Sequence, residues 1–139
     1  MSRVTRHFTL PVASAESVTD PKLFQYGKTV TLYFDYFEDG VAKRSGIRFE
    51  SVAATRTRNE RFASSQGMSF DKLKEIHESA WVAQMKQEIG HLYQNELSQF
   101  RHFVIYLDSA GSFEVLASDF EILPEESGSW ESLRAATAD

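Results

Sequence analysis

The chain of 139 residues contains no cysteine, and it has only three prolines and seven glycines. The absence of cysteine excludes disulfide bonds, cysteine nucleophiles, thiolate zinc sites and iron–sulfur clusters, and it fits a reducing compartment. No stretch approaches the roughly 18 apolar residues of a membrane-spanning helix, and the first residues lead into no apolar signal region. The sequence therefore predicts a cytoplasmic protein without membrane segments.

Signatures of catalysis are scarce as well. The sequence has neither the Gly-x-Ser-x-Gly motif of serine hydrolases nor a Gly-rich phosphate loop. Glu88 and His91 form one acid–histidine pair at helical spacing, whereas di-iron bundles use two such pairs. A surface pair on a helix explains them more simply. We therefore expect a non-enzymatic protein with no catalytic residues, no metal ligands and no cofactor.

Charge is distributed unevenly along the chain. The net charge is −5, but residues 1–62 carry 10 Lys or Arg against 7 Asp or Glu, whereas residues 63–139 carry 5 against 13. Six of the fifteen basic residues fall between positions 43 and 61. The acidic balance argues against broad nucleic-acid binding, because a phosphate-binding surface usually dominates the charge of its domain.

The length suits one domain, which we place at residues 1–123. A chain of this size buries about 70 % of its unfolded surface, so it needs no disulfide or metal to hold a core. Residues 124–139 are acidic and rich in Ser, and they are typical of a flexible C-terminal tail.

Residues 29–50 predict a β-hairpin. Asp39-Gly40 favours a two-residue type I′ turn between the strands. In that register the expected pairs are Val30 with Phe49, Leu32 with Ile47 and Asp35 with Arg44. Apolar residues then lie opposite apolar residues, and an acidic residue lies opposite a basic one. The turn residues and the side-chain pattern therefore indicate the same register. Gly46 falls opposite Tyr33, whose ring can cover the bare backbone.

Residues 102–118 predict a second hairpin. Ser109-Ala110-Gly111 fits a three-residue loop, with Gly111 in the left-handed region. The expected pairs are then Leu107 with Phe113, Ile105 with Val115 and Phe103 with Ala117. This face is apolar throughout and is expected to be core, whereas the opposite face is mixed and is either half-covered or part of a binding surface.

The remaining elements complete an α+β fold. The sequence predicts a short strand at 8–12, a loop at 13–28, one continuous strand from Gly46 to about Arg58, and an amphipathic helix after the N-cap Ser79. Residues 70–77 fit either a helical turn or a strand. Together they predict a curved, mainly antiparallel sheet of about five or six strands, with a half-open barrel as one arrangement, and one main helix packed on it.

Three segments carry a resemblance. Ile76-His-Glu-Ser79-Ala-Trp81-Val leads into the helix, and it is followed by 101–108 and by Phe113-Glu-Val-Leu-Ala-Ser-Asp-Phe-Glu-Ile122. The pattern resembles small bacterial α+β proteins with a Ser-x-Trp turn into one helix and a C-terminal hairpin. Some proteins of that appearance resemble the immunity partners of bacterial toxins. The likeness covers roughly residues 70–122, and its motifs are structural, so it implies a binding role and no catalytic residues.

The basic run contains the candidate binding site. Its members are four arginines at strand-like spacing and two aromatic residues of the partner strand: Arg44, Arg48, Arg56, Arg58, Tyr33 and Phe37. Guanidinium groups bind carboxylates on a protein surface, or they neutralise single-stranded nucleic acid whose bases stack on aromatic rings. The alternative is a solvated strand face in which the arginines pair with Asp35 and Glu50.

We therefore expect a bacterial protein-binding domain of the immunity or regulatory type. Two other functions stay open. One is a small-molecule pocket lined by Tyr33, Tyr36, Tyr106 and Trp81, and the other is single-stranded nucleic-acid binding through the arginine strand. An exposed sheet edge is also compatible with a homodimer.

Overall fold

A computed structural model describes residues 3–10, 22–58, 71–97, 99–107 and 111–128, with the side chains of the helix described as far as residue 88. These residues form nine strands and one helix. In chain order the elements are β1 (Val4–Thr9), β2 (Lys22–Tyr26), β3 (Thr29–Glu38), β4 (Val41–Glu50), β5 (Ala54–Arg58), β6 (Lys72–Ile76), α1 (Ala80–Leu97), β7 (Arg101–Leu107), β8 (Gly111–Ala117) and β9 (Asp119–Gly128). No helix among the described residues is long and apolar enough to cross a membrane.

The strands form two antiparallel sheets. The five-stranded sheet has the order β1-β6-β7-β8-β5, and the four-stranded sheet has the order β2-β3-β4-β9. The α+β class with antiparallel pairing and one helix is confirmed. The prediction of a single curved sheet is wrong, and within the described residues neither sheet closes on itself, so the half-open barrel is not formed either.

The chain changes from one sheet to the other at Ser51. This residue has a φ of 53°, in the left-handed region that interrupts an extended strand. Two residues later, the backbone N–H of Ala53 donates a hydrogen bond to the carbonyl of Leu116 at 2.8 Å. From Ala54 onward, β5 pairs with β8. The predicted continuous strand from Gly46 to about Arg58 is therefore two strands in different sheets.

Both sheets contribute to one hydrophobic core. The four-stranded sheet supplies Leu32, Phe34, Ile47 and Phe49, and the five-stranded sheet supplies Leu73, Phe103, Ile105, Leu107, Val115 and Ala117. The rings of Phe49 and Phe103 meet across the sandwich, with centroids 5.6 Å apart. Because side chains alternate along each strand, every second residue lies instead on the outer face, the side of the sheet away from this core.

The first hairpin has the register that the sequence predicts. All three expected pairs between β3 and β4 are present, including Asp35 opposite Arg44. Asp39 and Gly40 have φ angles of 54° and 77°, as the two central residues of a type I′ turn require.

The second hairpin forms, but its register differs from the prediction by two residues. Ile105 lies opposite Phe113, and Leu107 lies opposite Gly111. Gly111 has the expected positive φ, 94°, but it is the first residue of β8 and not the last of the loop. The apolar core face is as predicted, because a shift of two residues keeps every side chain on the same face.

The N-terminus of α1 also agrees with the sequence. The backbone N–H of Val82 donates to the Ser79 hydroxyl oxygen at 3.2 Å, and that of Ala83 donates to the Ser79 carbonyl at 3.0 Å. Ser79 is therefore the N-cap of the helix. The ambiguous segment before it contains β6, while residue 70 lies outside the described residues.

Three boundaries differ from the predictions. β2 lies inside the segment predicted to be a loop at 13–28, of which 13–21 are outside the described residues, and β1 begins earlier than the predicted strand at 8–12. β9 includes residues 124–128, which the sequence assigned to the tail, and residues 129–139 are outside the described residues. Proline is tolerated at position 124 of β9 because this strand is at the sheet edge and its pairing with β4 is irregular between Arg44 and Gly46.

Candidate functional site

The structure divides the predicted arginine site between two sheets. Arg44 and Arg48 belong to β4, and Arg56 and Arg58 belong to β5. Arg56 lies opposite Glu114 on the outer face of the five-stranded sheet, whereas the β4 arginines alternate with core residues and lie on the outer face of the other sheet. The two β4 arginines and the two β5 arginines are therefore on opposite sides of the sandwich. They do not form the continuous basic strip that nucleic-acid binding along one strand requires.

Arg44 is a buried structural residue. The side chains of Arg44 and Asp35 are 2 % and 3 % exposed. The Nε and Nη2 atoms of Arg44 donate to the two Asp35 carboxylate oxygens at 2.6 and 2.9 Å, and the guanidinium lies 5.2 Å from the centre of the Tyr33 ring. The hydrogen bonds to Asp35 raise the pKa of Arg44. This ion pair lies on the outer face of the sheet but is buried, so it is not accessible to a partner.

Arg48 is at the surface. Its side chain is 40 % exposed and forms ion pairs with Glu50 and with Glu121 of β9. The pairing with Glu50 is the solvated arrangement that the sequence left as an alternative. Exposed pairs of this kind contribute little to stability because water screens them, so Arg48 remains available to a binding partner.

Among the described residues, the most exposed aromatic side chains lie on the outer face of the four-stranded sheet. Tyr26 is 89 % exposed and Phe24 is 40 % exposed, both on the edge strand β2. The Phe24 ring meets the Tyr33 ring edge-on, with centroids 5.7 Å apart. We call Phe24, Tyr26 and Tyr33 the β2 aromatic face. Phe37, which is 50 % exposed near the end of β3, lies on the same face of the sheet.

Sequence reasoning missed Phe24 and Tyr26 because it treated their segment as a loop. A signal was present: Leu23-Phe24-Gln25-Tyr26 is followed by Gly27, which has a φ of 61° in the turn between β2 and β3. A short aromatic run directly before a glycine turn is typical of a hairpin strand.

A second polar cluster lies where α1 meets the five-stranded sheet. The Ser79 hydroxyl is 2.7 Å from Nδ1 of His102, and Nε2 of His102 is 2.9 Å from a carboxylate oxygen of Glu114. Arg56 donates to both oxygens of Glu114, at 2.6 and 3.0 Å. Its guanidinium also lies 4.2 Å from the centre of the Trp81 ring. We call Ser79, His102, Glu114 and Arg56 the Ser79 cluster.

The charges in this cluster determine the hydrogen-bond directions. Burial alone would raise the pKa of Glu114, but hydrogen bonds from His102 and Arg56 outweigh burial and hold its pKa at about 2. The ionised carboxylate can only accept, so Nε2 of His102 is the donor. In a neutral imidazole this leaves Nδ1 as the acceptor for the Ser79 hydroxyl proton.

A cleft of about 430 Å³ opens beside the cluster. Ser79 and His102 form part of its wall, and Val82, Ala83 and Phe100 supply apolar lining. Glu75 and Arg101 lie at the same cleft and pair at 2.7 Å. The hydrogen bonds from Arg101, together with one from His7, overcome the effect of burial and lower the pKa of Glu75 to about 2.

The four aromatic residues of the predicted small-molecule pocket do not meet. Tyr33 is on the outer face of the four-stranded sheet, and Tyr36 is three residues along on the inner face. Tyr106 lies on the outer face of the five-stranded sheet, and Trp81 lies on α1 beside His102, 5.3 Å between ring centres. In the part of the chain that the structure describes, no group of three His, Asp or Glu residues is placed to hold a metal ion.

Comparison of the chain with protein families, with curated proteins and with solved structures finds no match. The resemblance to immunity-type bacterial proteins therefore stays a prediction.

Proposed function

We propose that this protein is a protein-binding domain of the immunity or regulatory type, and that it docks its partner on the β2 aromatic face. The observation that carries the proposal is the exposure of two aromatic residues on an edge strand. Tyr26 is 89 % exposed and Phe24 is 40 % exposed. Large aromatic residues dominate the energetics of protein interfaces. A cluster of exposed aromatic side chains is typical of an interaction site.

The surroundings of this face favour a protein partner. The Tyr33 ring is in contact with the buried Arg44 and with Phe24, so Tyr33 loses little side-chain entropy on binding. Arg48 and Glu121 provide a charged rim on the same face. An apolar centre with a charged rim is the usual composition of a protein–protein interface.

The experiment compares two matched variants in the native host. The first is Phe24→Ser with Tyr26→Ser. The control is Val4→Ser, because Val4 is 49 % exposed in β1 of the other sheet. Each tagged protein is captured with its bound proteins after cross-linking, and the stoichiometry of each recovered partner is measured.

We expect a stoichiometric partner with the wild type and with Val4→Ser, and its loss with the double variant. Recovery of no stoichiometric partner, or equal recovery by the double variant, would overturn the proposal. Light scattering of the purified proteins shows whether that partner is a second copy of this chain.

A further inference from the structure

The Ser79 cluster has the chemistry of a nucleophile with its general base. We propose that Ser79, His102 and Glu114 form a serine acyl-hydrolase site that acts on small esters in the cleft beside α1. This site lies on the five-stranded sheet, on the opposite side of the protein from the β2 aromatic face. The proposed hydrolase activity is therefore independent of the proposed partner binding, and the two are tested separately.

The geometry meets the requirements for activating a serine. The Ser79 hydroxyl oxygen is 2.7 Å from Nδ1 of His102, and Nε2 of the same ring is 2.9 Å from a carboxylate oxygen of Glu114. In the neutral imidazole with its proton on Nε2, Nδ1 accepts the Ser79 hydroxyl proton. This is the nucleophile, base and orienting acid of a catalytic triad. In the common triad the serine faces Nε2 and the carboxylate faces Nδ1, whereas here the two ring nitrogens are exchanged. The proton still moves from the serine hydroxyl to an imidazole nitrogen, so the exchange does not alter the chemistry.

The orienting carboxylate is itself held in place. Glu114 receives two hydrogen bonds from Arg56 in addition to that from His102. Three donors keep it ionised, so it fixes the imidazole tautomer and stabilises the imidazolium that forms when His102 accepts the proton. Arg56 acts through Glu114 and is therefore a positioning residue.

Ser79 lies at the N-terminus of α1, where backbone donors are available. The first N–H groups of a helix have no acceptor within the helix. Val82 N–H is used by the Ser79 side chain, and the amides of Ala80 and Trp81 belong to the same first turn. Amides beside a nucleophile can stabilise the oxyanion of a tetrahedral intermediate.

The cleft defines the class of substrate. Its volume of about 430 Å³ is within the range of small-molecule sites, about 300–1,000 Å³. Val82, Ala83 and Phe100 line it beside Ser79 and suit a short acyl chain. Charged residues of both signs lie around it, including Glu75 and Arg101, so a neutral ester fits better than a strongly charged one.

The reaction needs only the ester and water. The Ser79 oxygen attacks the carbonyl carbon while its proton moves to Nδ1 of His102. The bond to the leaving alcohol breaks, and that alcohol takes the proton from His102. Water then attacks the acyl–Ser79 ester and gives its proton to His102, which returns it to the serine oxygen as the carboxylic acid leaves.

The first test uses the unmodified protein. A fluorophosphonate probe reacts with activated serines, and peptide mass spectrometry identifies the modified residue. We expect one adduct, on Ser79, and slow turnover of p-nitrophenyl butyrate. No adduct on Ser79 in the folded protein, or an adduct only on another serine, would overturn the proposal whatever the variants do.

The second test separates catalysis from helix capping. Ser79→Asn removes the hydroxyl but keeps a residue that caps helices well, and Ser112→Ala changes another buried serine, on β8 and away from the cleft. We expect Ser79→Asn to lose p-nitrophenyl butyrate turnover on the order of 100-fold or more, with Ser112→Ala at the wild-type rate. Glu114→Gln is expected to lower kcat with little change in KM. Retained turnover in Ser79→Asn would refute the assignment.

Discussion

Arg44 and Asp35 form a two-pronged ion pair on the outer face of the four-stranded sheet, and both side chains are almost completely buried. Removal of one partner takes the two-pronged ion pair away from a charge that stays buried. We expect Arg44→Met to lower the free energy of unfolding by about 3–5 kcal/mol, measured by urea denaturation. Replacing both residues, as Asp35→Leu with Arg44→Met, should restore part of that loss because no charge remains buried.

Arg48→Met is the matched control for this prediction. Arg48 is on the same strand and the same face, but its side chain is 40 % exposed, so its loss should lower the stability far less than the loss of Arg44 does. Equal destabilisation by Arg44→Met and Arg48→Met would show that the Arg44 pair is not buried in solution.

Gly46 allows close packing against its neighbours on β3 and β9. A Cβ at this position would lie 3.1 Å from the Leu32 carbonyl oxygen and 3.2 Å from both Leu123 Cδ1 and Tyr33 Cδ1. Gly46→Ala should therefore destabilise the protein by about 1–3 kcal/mol through overpacking. Thermal unfolding measures the effect, and an unchanged midpoint would mean that the Tyr33 ring moves away freely.

Acid should destabilise the protein through Glu75 and Glu114. Their pKa values are lowered from 4.5 to about 2 in the folded state, so the unfolded chain takes up protons first as the pH decreases. The stabilisation from both groups is complete above pH 4.5 and is lost as the pH falls through about 2. Urea denaturation at a series of pH values should show this fall.

Single substitutions assign the acid sensitivity. Glu114→Gln removes one titrating group and should flatten part of the curve between pH 4.5 and about 2. Glu88→Gln, which changes an exposed carboxyl group of α1, is the matched control. A wild-type stability that is constant over this interval would contradict the prediction.

Arg56 and Arg58 should differ in importance although they share one face of β5. Arg56 pairs with Glu114 and stacks on Trp81, whereas Arg58 is an exposed neighbour two residues along. We expect Arg56→Met to cost about 1 kcal/mol and Arg58→Met to stay within about 0.5 kcal/mol of the wild type. Urea denaturation of both variants checks this, and a larger effect of Arg58→Met would reverse the assignment.

Local chemistry accounts for the parts of the fold that the sequence predicted well. The Asp39-Gly40 turn sets the β3–β4 register, because a two-residue loop fixes which residues face each other. The same reasoning failed at Gly111, where the predicted positive φ is present but the register differs from the prediction by two residues, and residues 109–110 of the predicted loop lie outside the described residues. Hydrophobic alternation has a period of two, so it cannot distinguish two registers that differ by two.

The candidate sites were harder to predict because their residues are distant in sequence. Ser79, His102 and Glu114 span three separate elements, and the sequence suggested only a helix cap at Ser79 and a mixed strand face at His102. Phe24 and Tyr26 were missed because their strand is short and lies at a sheet edge. Short edge strands have too few alternating positions to show a period.

By itself the sequence determined the turn of the first hairpin, the apolar faces of the strands and the N-cap of the helix, since each depends on residues within a few positions of one another. Only the tertiary structure decided that the strands divide into two sheets, that the four arginines lie on opposite sides, and that Ser79 meets His102. The separation of the arginines follows from the change of sheet at Ser51, and the contact between Ser79 and His102 follows from packing between residues far apart in the chain. Periodicity assigns a side chain to a face, but it does not determine which sheet the strand joins.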